Sequence, residues 1–439
     1  MTNLELAIFM IVLLIILMAF RLPIALAMLV VGGIGYVNLA GFDQLLNYLS
    51  TAPYSKFSTY DLSVVPMFIL MGELATRAGI TRELFQTCNT WIGHLKGGIA
   101  MASVAGCAAF GSISGSSLAT ASTMGRVALP EMRRHHYSGS LASGTLAAGG
   151  TLGILIPPSL VLIIYSVLTE QNIASMFIAA FVPGILAALG YMLTISIYVR
   201  LKPESGPAGE KSSFAEKIRS LRDVWHVTLI FIIVLGGIYS GIFTPTESAA
   251  IGMFLTAILA YFHGKLRWEG FKKSVLKTAS ISAMIFFIIF GADLFNVFIA
   301  LSQLPAESVK LLNDSDLSPY TVLTIILISY LLLGCIMDSV SMILLSIPIY
   351  FPIIMGMDFG MSAADTAIWF GILALIVVEV GLITPPVGMN VFIINSLDKS
   401  LTLAESFRGV TPFLISDIIR VIILVLFPQI TLFLLHWLN

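Results

Sequence analysis

Gly98-Ile-Ala-Met-Ala-Ser-Val-Ala-Gly-Cys-Ala-Ala-Phe110 runs into the small polar segment Gly111-Ser112-Ile113-Ser114-Gly115-Ser116-Ser117, and a second apolar limb closes at Pro130-Glu131-Met132-Arg133-Arg134. Each limb is about fifteen residues, short of the roughly 20 that a helix needs to cross a bilayer. Residues 98–133 therefore read as a hairpin that dips into a membrane and returns. The next apolar segment, residues 138–172, is interrupted by Gly153-Ile154-Leu155-Ile156-Pro157-Pro158-Ser159. Non-helical backbone at membrane depth survives only where it is buried in protein or lines a wet cavity. This stretch therefore marks a site.

The rest of the chain fits that setting. Of 439 residues, 58% are hydrophobic and 11% charged, which points to an all-α polytopic membrane protein without a large soluble domain. The formal net charge of −1 argues against a nucleic-acid partner. Leu4 to Phe20 lacks a basic leader and a small-residue cleavage site, so it reads as a retained first helix. Cys88, Cys107 and Cys335 have no metal-ligand spacing and read as packing thiols. No HExxH, GxxxxGK[ST] or GxSxG occurs, so zinc proteolysis, a P-loop ATPase and an α/β-hydrolase lack their usual motifs.

Apolar runs long enough to cross fall at 4–20, 22–40, 62–78, 138–172, 174–199, 225–243, 246–263, 275–301, 364–397 and 411–437, ten crossings in all. Residues 98–133 and 319–355 are the two re-entrant hairpins. Thr81 to Lys96 and Leu401 to Arg408 are amphipathic and suit the interface. Arg133-Arg134, Arg200 to Arg222 and Lys265 to Lys277 are basic and predicted cytoplasmic, whereas Glu307 to Asp316 and Asp358 to Asp365 lean acidic. Ten crossings then put both termini outside. Lys202 to Asp223, with Pro203, Gly206, Pro207 and Gly209, reads as a solvated linker.

The two halves echo each other. Pro23, Gly72, Gly111, Gly153-x-x-x-Pro157-Pro158 and Pro183 recur in the same order as Pro245, Gly291, Gly334, Gly381-x-x-x-Pro385-Pro386 and Pro412, each roughly 220–230 residues later. The expected plan is a first repeat over 1–199, a cytoplasmic linker over 200–225 and a second repeat over 226–439. Each repeat holds five crossings and a hairpin, and an odd number of crossings inverts the second copy. Paired interrupted segments in corresponding positions of two halves point to the midplane site of a secondary transporter.

A double proline removes two backbone donors and disfavours helix in the residue before it, so Ile156-Pro157-Pro158 and Thr384-Pro385-Pro386 must unwind. The carbonyls of Gly153 to Ile156 and of Gly381 to Thr384 then lack intrahelical partners. Hard oxygens at the negative end of a half-helix suit Na⁺. The half-helices that begin after each break and after each hairpin tip offer free N–H groups to a carboxylate or sulfonate.

Gly-Ser-Ile-Ser-Gly-Ser-Ser at 111–117, Gly-Ile-Leu-Ile-Pro-Pro-Ser at 153–159 and Gly-Leu-Ile-Thr-Pro-Pro-Val-Gly-Met-Asn at 381–390 resemble the large membrane subunit of tripartite ATP-independent periplasmic (TRAP) transporters, over essentially the whole chain. The resemblance implies a Na⁺-driven elevator in the bacterial inner membrane. It also implies two partners not encoded here, a small four-helix membrane subunit and a periplasmic binding protein that delivers a small organic anion. Position by position, it implies one Na⁺ site at Ser114, Gly153, Ile156 and Pro158, and an inverted mate at Gly334, Gly381, Thr384 and Val387. Ser116, Ser159, Asp338 and Asn390 would meet the substrate between them.

Asp338 sits in an apolar setting where an ionisable group costs about 2.5–3.5 kcal/mol, so it needs a partner or water, and a site role is the reading here. Asp417 and Arg420, three residues apart on one helix, read as a structural pair. Glu73 and Glu247 read as anchoring or subunit-contact groups. Arg126 and Glu379 receive no assignment. The nearest rival function is a Na⁺/dicarboxylate symporter of similar inverted design that works without a binding protein. An intramembrane enzyme would need a dyad or metal cluster at depth, and none is evident. A passive channel would ignore the Na⁺ gradient.

Overall fold

The protein is described here by a computed structural model, whose described residues are 2–263, 266–314 and 317–438. Lys265 and Asp316, which entered the charge argument, lie outside them. The first half contains α1 (Asn3–Ala19), α2 (Ile24–Ala40), α3 (Phe42–Phe57), α4 (Val64–Ala78), α5 (Ile80–Ile92), α6 (Gly98–Ser114), α7 (Ser117–Arg134), α8 (Gly139–Leu155), α9 (Leu160–Leu168) and α10 (Ile173–Leu201). The second contains α11 (Phe214–Tyr239), α12 (Pro245–Phe262), α13 (Trp268–Leu301), α14 (Leu304–Asp314), α15 (Pro319–Gly334), α16 (Ser339–Met355), α17 (Ala363–Gly381), α18 (Met389–Leu397), α19 (Leu403–Leu426) and α20 (Pro428–Leu438).

By length and composition six single helices can cross a membrane, α10 to α13, α17 and α19, and two more spans are bent pairs. The bends are 68° between the α4 segment and α5, and 44° between α8 and α9. The two remaining expected crossings are α1 and α2, each 17 residues. Helix ends follow local chemistry. Thr2 with Glu5, Ser213 with Glu216 and Thr244 with Glu247 form capping boxes at α1, α11 and α12, each satisfying backbone donors the helix leaves over. Glu247 thus has a capping role.

Several expectations are corrected. Leu401 to Arg408 is not a separate interfacial stretch, because α19 starts at Leu403, capped by Thr402, and runs on unbroken to Leu426. The segment 411–437 is interrupted at Phe427, since Pro428 cannot continue the ladder. Two amphipathic helices went unread: α3, whose pattern is blurred by Asp43, Lys56 and an internal Pro53, and α14 within the acidic-leaning segment. The later part of the stretch read as a linker is the first turns of α11.

The halves match element by element. Helices α1 and α2 correspond to α11 and α12, α3 with α4 to the long α13, and α5 to α14. The hairpin α6–α7 corresponds to α15–α16, the broken helix α8–α9 to α17–α18, and α10 to α19 with α20. Packing obeys the same exchange. Helix α2 lies on α13 and α12 on α4; α7 meets α18 and α16 meets α9; α8 meets α19 and α17 meets α10. Swapping the halves converts each contact into its mate, as two-fold related repeats require. The ion pairs repeat it. Lys56 of α3 meets Asp293 of α13 at 2.7 Å, and Lys277 of α13 meets Glu73 of α4.

These contacts separate an outer layer, α1 to α4 with α11 to α13, from an inner block centred on α8 and α17. In the apolar window of α17, 83% of residues are buried, so this helix faces protein along its length. Asp417 accepts from Arg420 at 2.7 Å and from the Tyr191 hydroxyl at 2.9 Å, all three buried, which makes the pair structural. Asp417→Ala leaves the Arg420 charge uncompensated in the block, and a loss of about 3–5 kcal/mol is expected, visible as reduced yield of monodisperse protein. Undiminished yield and melting temperature would count against that reading.

Candidate functional site

At the first hairpin tip α6 ends on Gly115, whose φ of 59° lies in the left-handed region that glycine tolerates. Ser116 then caps α7, its Oγ accepting from the Ala119 N–H at 3.3 Å. The tip rests on the first break. A Cβ built on Gly111 would lie 2.5 Å from Gly153 Cα, one on Gly153 2.8 Å from the Ser116 carbonyl, and one on Gly115 3.4 Å from the Pro158 carbonyl. Glycines are needed where these backbones touch. Ser114 Oγ is 2.8 Å from Thr120 Oγ1, and Ser159, fully buried, caps α9 through the Leu162 N–H at 3.4 Å. The Ile156 side chain packs toward Gly184 of α10, so only its backbone is available to a ligand. Among the described residues the carbonyls of Gly153 to Ile156 receive no hydrogen bond.

The second tip repeats the arrangement with differences. A Cβ built on Gly381 would lie 2.6 Å from Gly334 Cα, the counterpart of the Gly111–Gly153 contact. Asp338 caps α16, accepting from the Ser341 N–H at 3.1 Å, which supplies the partner its setting demands. The unwound segment is partly self-bonded: Thr384 N–H donates to the Gly381 carbonyl at 3.0 Å and Asn390 N–H to the Leu382 carbonyl at 3.1 Å. Two of the four expected free carbonyls are thus used. Thr384 Oγ1 donates to the Val380 carbonyl at 2.6 Å, and half-buried Val387 has only its carbonyl to offer. Both prolyl pairs, Pro157-Pro158 and Pro385-Pro386, are cis. The first pair is buried and the second exposed, while Gly381 to Ile383 beside the second pair are buried, so the two breaks have unlike surroundings.

The two halves meet through a carboxylate that the sequence reading could not place. Glu379, 1% exposed on α17, accepts from Ser117 Oγ with one oxygen and from Ser339 Oγ at 2.6 Å with the other. Ser117 and Ser339 are the first residues of α7 and α16, next to the capping residues Ser116 and Asp338. One side chain therefore ties both hairpin tips. Close by, Asn390 is fully buried and its Nδ2 donates to the Ala147 carbonyl of α8 at 3.2 Å, leaving Oδ1 without a partner. A Cβ on Gly150 would lie 3.1 Å from Asn390 Nδ2 and 3.2 Å from the Ser117 carbonyl, so the second break and the first tip share this glycine.

The structure thus gathers Ser114, Ser116, Gly153, Pro158 and Ser159 at one break, and Gly334, Asp338, Gly381 and Thr384 at the other, joined through Asn390 and Glu379. Sequence reasoning missed Thr120, Ser117, Ser339 and the place of Glu379. The available signal was a lone glutamate in an apolar helix two residues before Gly381, opposite serine-rich tips. Arg126 is exposed on α7, away from this centre.

Hairpins and broken helices in duplicate, meeting inside a bundle of membrane-spanning helices, define a membrane transport protein. The profile of the tripartite ATP-independent periplasmic transporter, DctM component, matches residues 11–430, and the chain belongs to that family. It is 36% identical to the C4-dicarboxylate TRAP transporter large permease protein DctM of Pseudomonas aeruginosa, over 87% of each chain. It is also 29% identical to the sialic acid TRAP transporter large permease protein SiaM of Vibrio cholerae, over 89% of each. A third relative, at 30% over 85% of this chain and 86% of its own, is the ectoine TRAP transporter large permease protein TeaC of Halomonas elongata. Among solved structures, the Alcanivorax borkumensis YdaH transporter shares the fold with a TM-score of 0.66 and 13% identity, over 92% of this chain and 96% of its own. The chain is a large permease subunit of a transporter, not an enzyme.

Proposed function

We propose that this permease couples inward Na⁺ movement to import of a small organic anion across the bacterial inner membrane, by an elevator movement of the inner block against the outer layer. Substrate arrives on a periplasmic binding protein, a small four-helix membrane subunit completes the complex, and both termini lie on the periplasmic side. The observation that carries this reading is the duplicated break, each seated under a hairpin tip and joined at Glu379. The first break offers four carbonyls without donors beside Ser114 and Thr120, a hard-oxygen set suited to Na⁺. The second offers fewer free carbonyls, at Ile383, Thr384 and Val387, so its ion site is the weaker or is completed as the block moves.

The helix starts at Ser116 and Ser159 favour a carboxylate. Asp338 carries the opposite preference and suits a substrate hydroxyl, an ammonium or a neighbouring cation. With a C4-dicarboxylate carrier among the relatives, labelled succinate is the first probe. Membership in a tripartite family argues against a symporter that works without a binding protein.

In proteoliposomes holding the permease, its small subunit and its binding protein, replacing external Na⁺ by choline should abolish accumulation. Accumulation that persists without Na⁺ overturns the coupling. Asp338→Ala costs the α16 cap about 0.5–2 kcal/mol, which the fold tolerates, so the variant should assemble yet fail to transport. Full transport by that variant removes Asp338 from the site.

A further inference from the structure

A second cluster of chemistry lies away from the breaks, in a cleft of about 1100 Å³ between α5, α11 and α12. Glu83 of α5, His226 of α11 and His263 at the end of α12 each place one ligand atom within 4.8 Å of the other two. Glu83 Oε2 and His226 Nε2 are buried atoms that make no hydrogen bond to any described group, although they lie 3.5 Å apart. Zinc bonds to nitrogen and oxygen of about 2.0–2.2 Å in a tetrahedron put neighbouring ligand atoms roughly 3.3–3.5 Å apart. The Glu83–His226 spacing is therefore that of two ligands of one metal, and it leaves two orphaned polar atoms that a cation would satisfy.

The third member is oriented for the same task. His263 Nδ1 lies 3.1 Å from the Leu259 carbonyl. A ring protonated at Nδ1 and donating to that carbonyl presents the Nε2 lone pair, the outer-shell arrangement that fixes a ligating histidine. His263 is exposed at the cleft, so its ring is free to close the remaining gap of roughly 1–1.5 Å to a metal held by the other two. Two imidazoles and one carboxylate select a first-row transition metal over Ca²⁺ or Mg²⁺, which need six or more oxygens.

We propose that Glu83, His226 and His263 form a binding site for a divalent transition metal of the zinc class, with water from the cleft completing its coordination. The metal ties α5, which packs on the hairpin helices α6 and α7, to α11 and α12 of the other half. The site is independent of the transport reading above and survives its failure.

The test uses the intact chain in lipid nanodiscs, purified without a histidine tag, stripped with chelator and titrated with Co²⁺, followed by Zn²⁺ in competition. The expected result is one equivalent of Co²⁺ with the visible absorption of low-coordinate cobalt, displaced by Zn²⁺. His263→Ala, at an exposed helix end, should keep the fold and weaken affinity by at least about tenfold, since losing a ligand costs no less than losing its outer-shell partner. Glu83→Gln should do likewise, and Zn²⁺ should raise the melting temperature of the wild type but not of His263→Ala. A wild type that takes up no stoichiometric Co²⁺ at micromolar concentration would reduce the cluster to a Glu83–His226 charge pair and overturn the proposal. So would binding at wild-type affinity by both His263→Ala and His226→Gln.

Discussion

Glu379→Ala is expected to abolish uptake. The substitution leaves the hydroxyls of Ser117 and Ser339 without their acceptor in a closed site. Each orphaned group costs about 1–3 kcal/mol, or roughly 2–6 kcal/mol together. If both tips are tied in one state of the transport cycle and released in another, a loss of 2 kcal/mol shifts the balance between those states by about thirtyfold. Two companion variants separate transport from folding. Glu379→Leu combined with Ser117→Ala and Ser339→Ala replaces all three polar partners and should melt near the wild-type temperature while still failing to transport, because replacing every partner of a buried polar contact by apolar groups is often neutral for stability. Glu379→Gln can accept from one serine and donate to the other, and should recover part of the uptake. Labelled-substrate uptake and thermal unfolding of the three variants decide the matter. Wild-type uptake by the folded triple variant would reduce the residue to a packing element.

Gly111→Val should be the most damaging single change for the fold of the site. Its Cβ alone would stand 2.5 Å from Gly153 Cα, and neither backbone is able to yield without moving the hairpin off the broken helix. Overpacking a core costs about 1–3 kcal/mol when flexible side chains absorb it, so a backbone clash should exceed that range. The counterpart Gly381→Val meets Gly334 Cα at 2.6 Å and should behave alike. Gly241→Ala is the control. It has nothing within 4 Å, so only the strain of its φ of 71° is felt. Size-exclusion profiles and uptake of the three variants rank the effects; a well-folded, active Gly111→Val would mean that the two helices do not touch.

Much of this was readable in one dimension because bilayer chemistry leaves few choices. The ten apolar segments could only be helices, since unpaired backbone is not tolerated in lipid, and the two that carry double prolines had to unwind at those prolines. The duplicated landmarks from Pro23 to Pro183 and from Pro245 to Pro412 placed the hairpins and the breaks in corresponding positions. Amphipathic helices were less legible. In α3 the internal Pro53 and mixed charges hide a surface helix, and at Leu403 a cap within a charged stretch starts a helix that then runs into apolar sequence.

Local rules determined from the sequence alone that the chain spans a membrane, that it repeats itself, where its backbone must unwind and which serines and carbonyls stand there. They act over a few residues, through helix periodicity, proline geometry and the length of an apolar run. Only the tertiary structure decided that Glu379 reaches Ser117 and Ser339 at once, that Asn390 crosses to α8, that the prolines of the first break are buried while those of the second are exposed, and that Glu83 finds His226 and His263. Those partners lie up to 262 residues apart, and what brings them together is the two-fold packing of one half against the other.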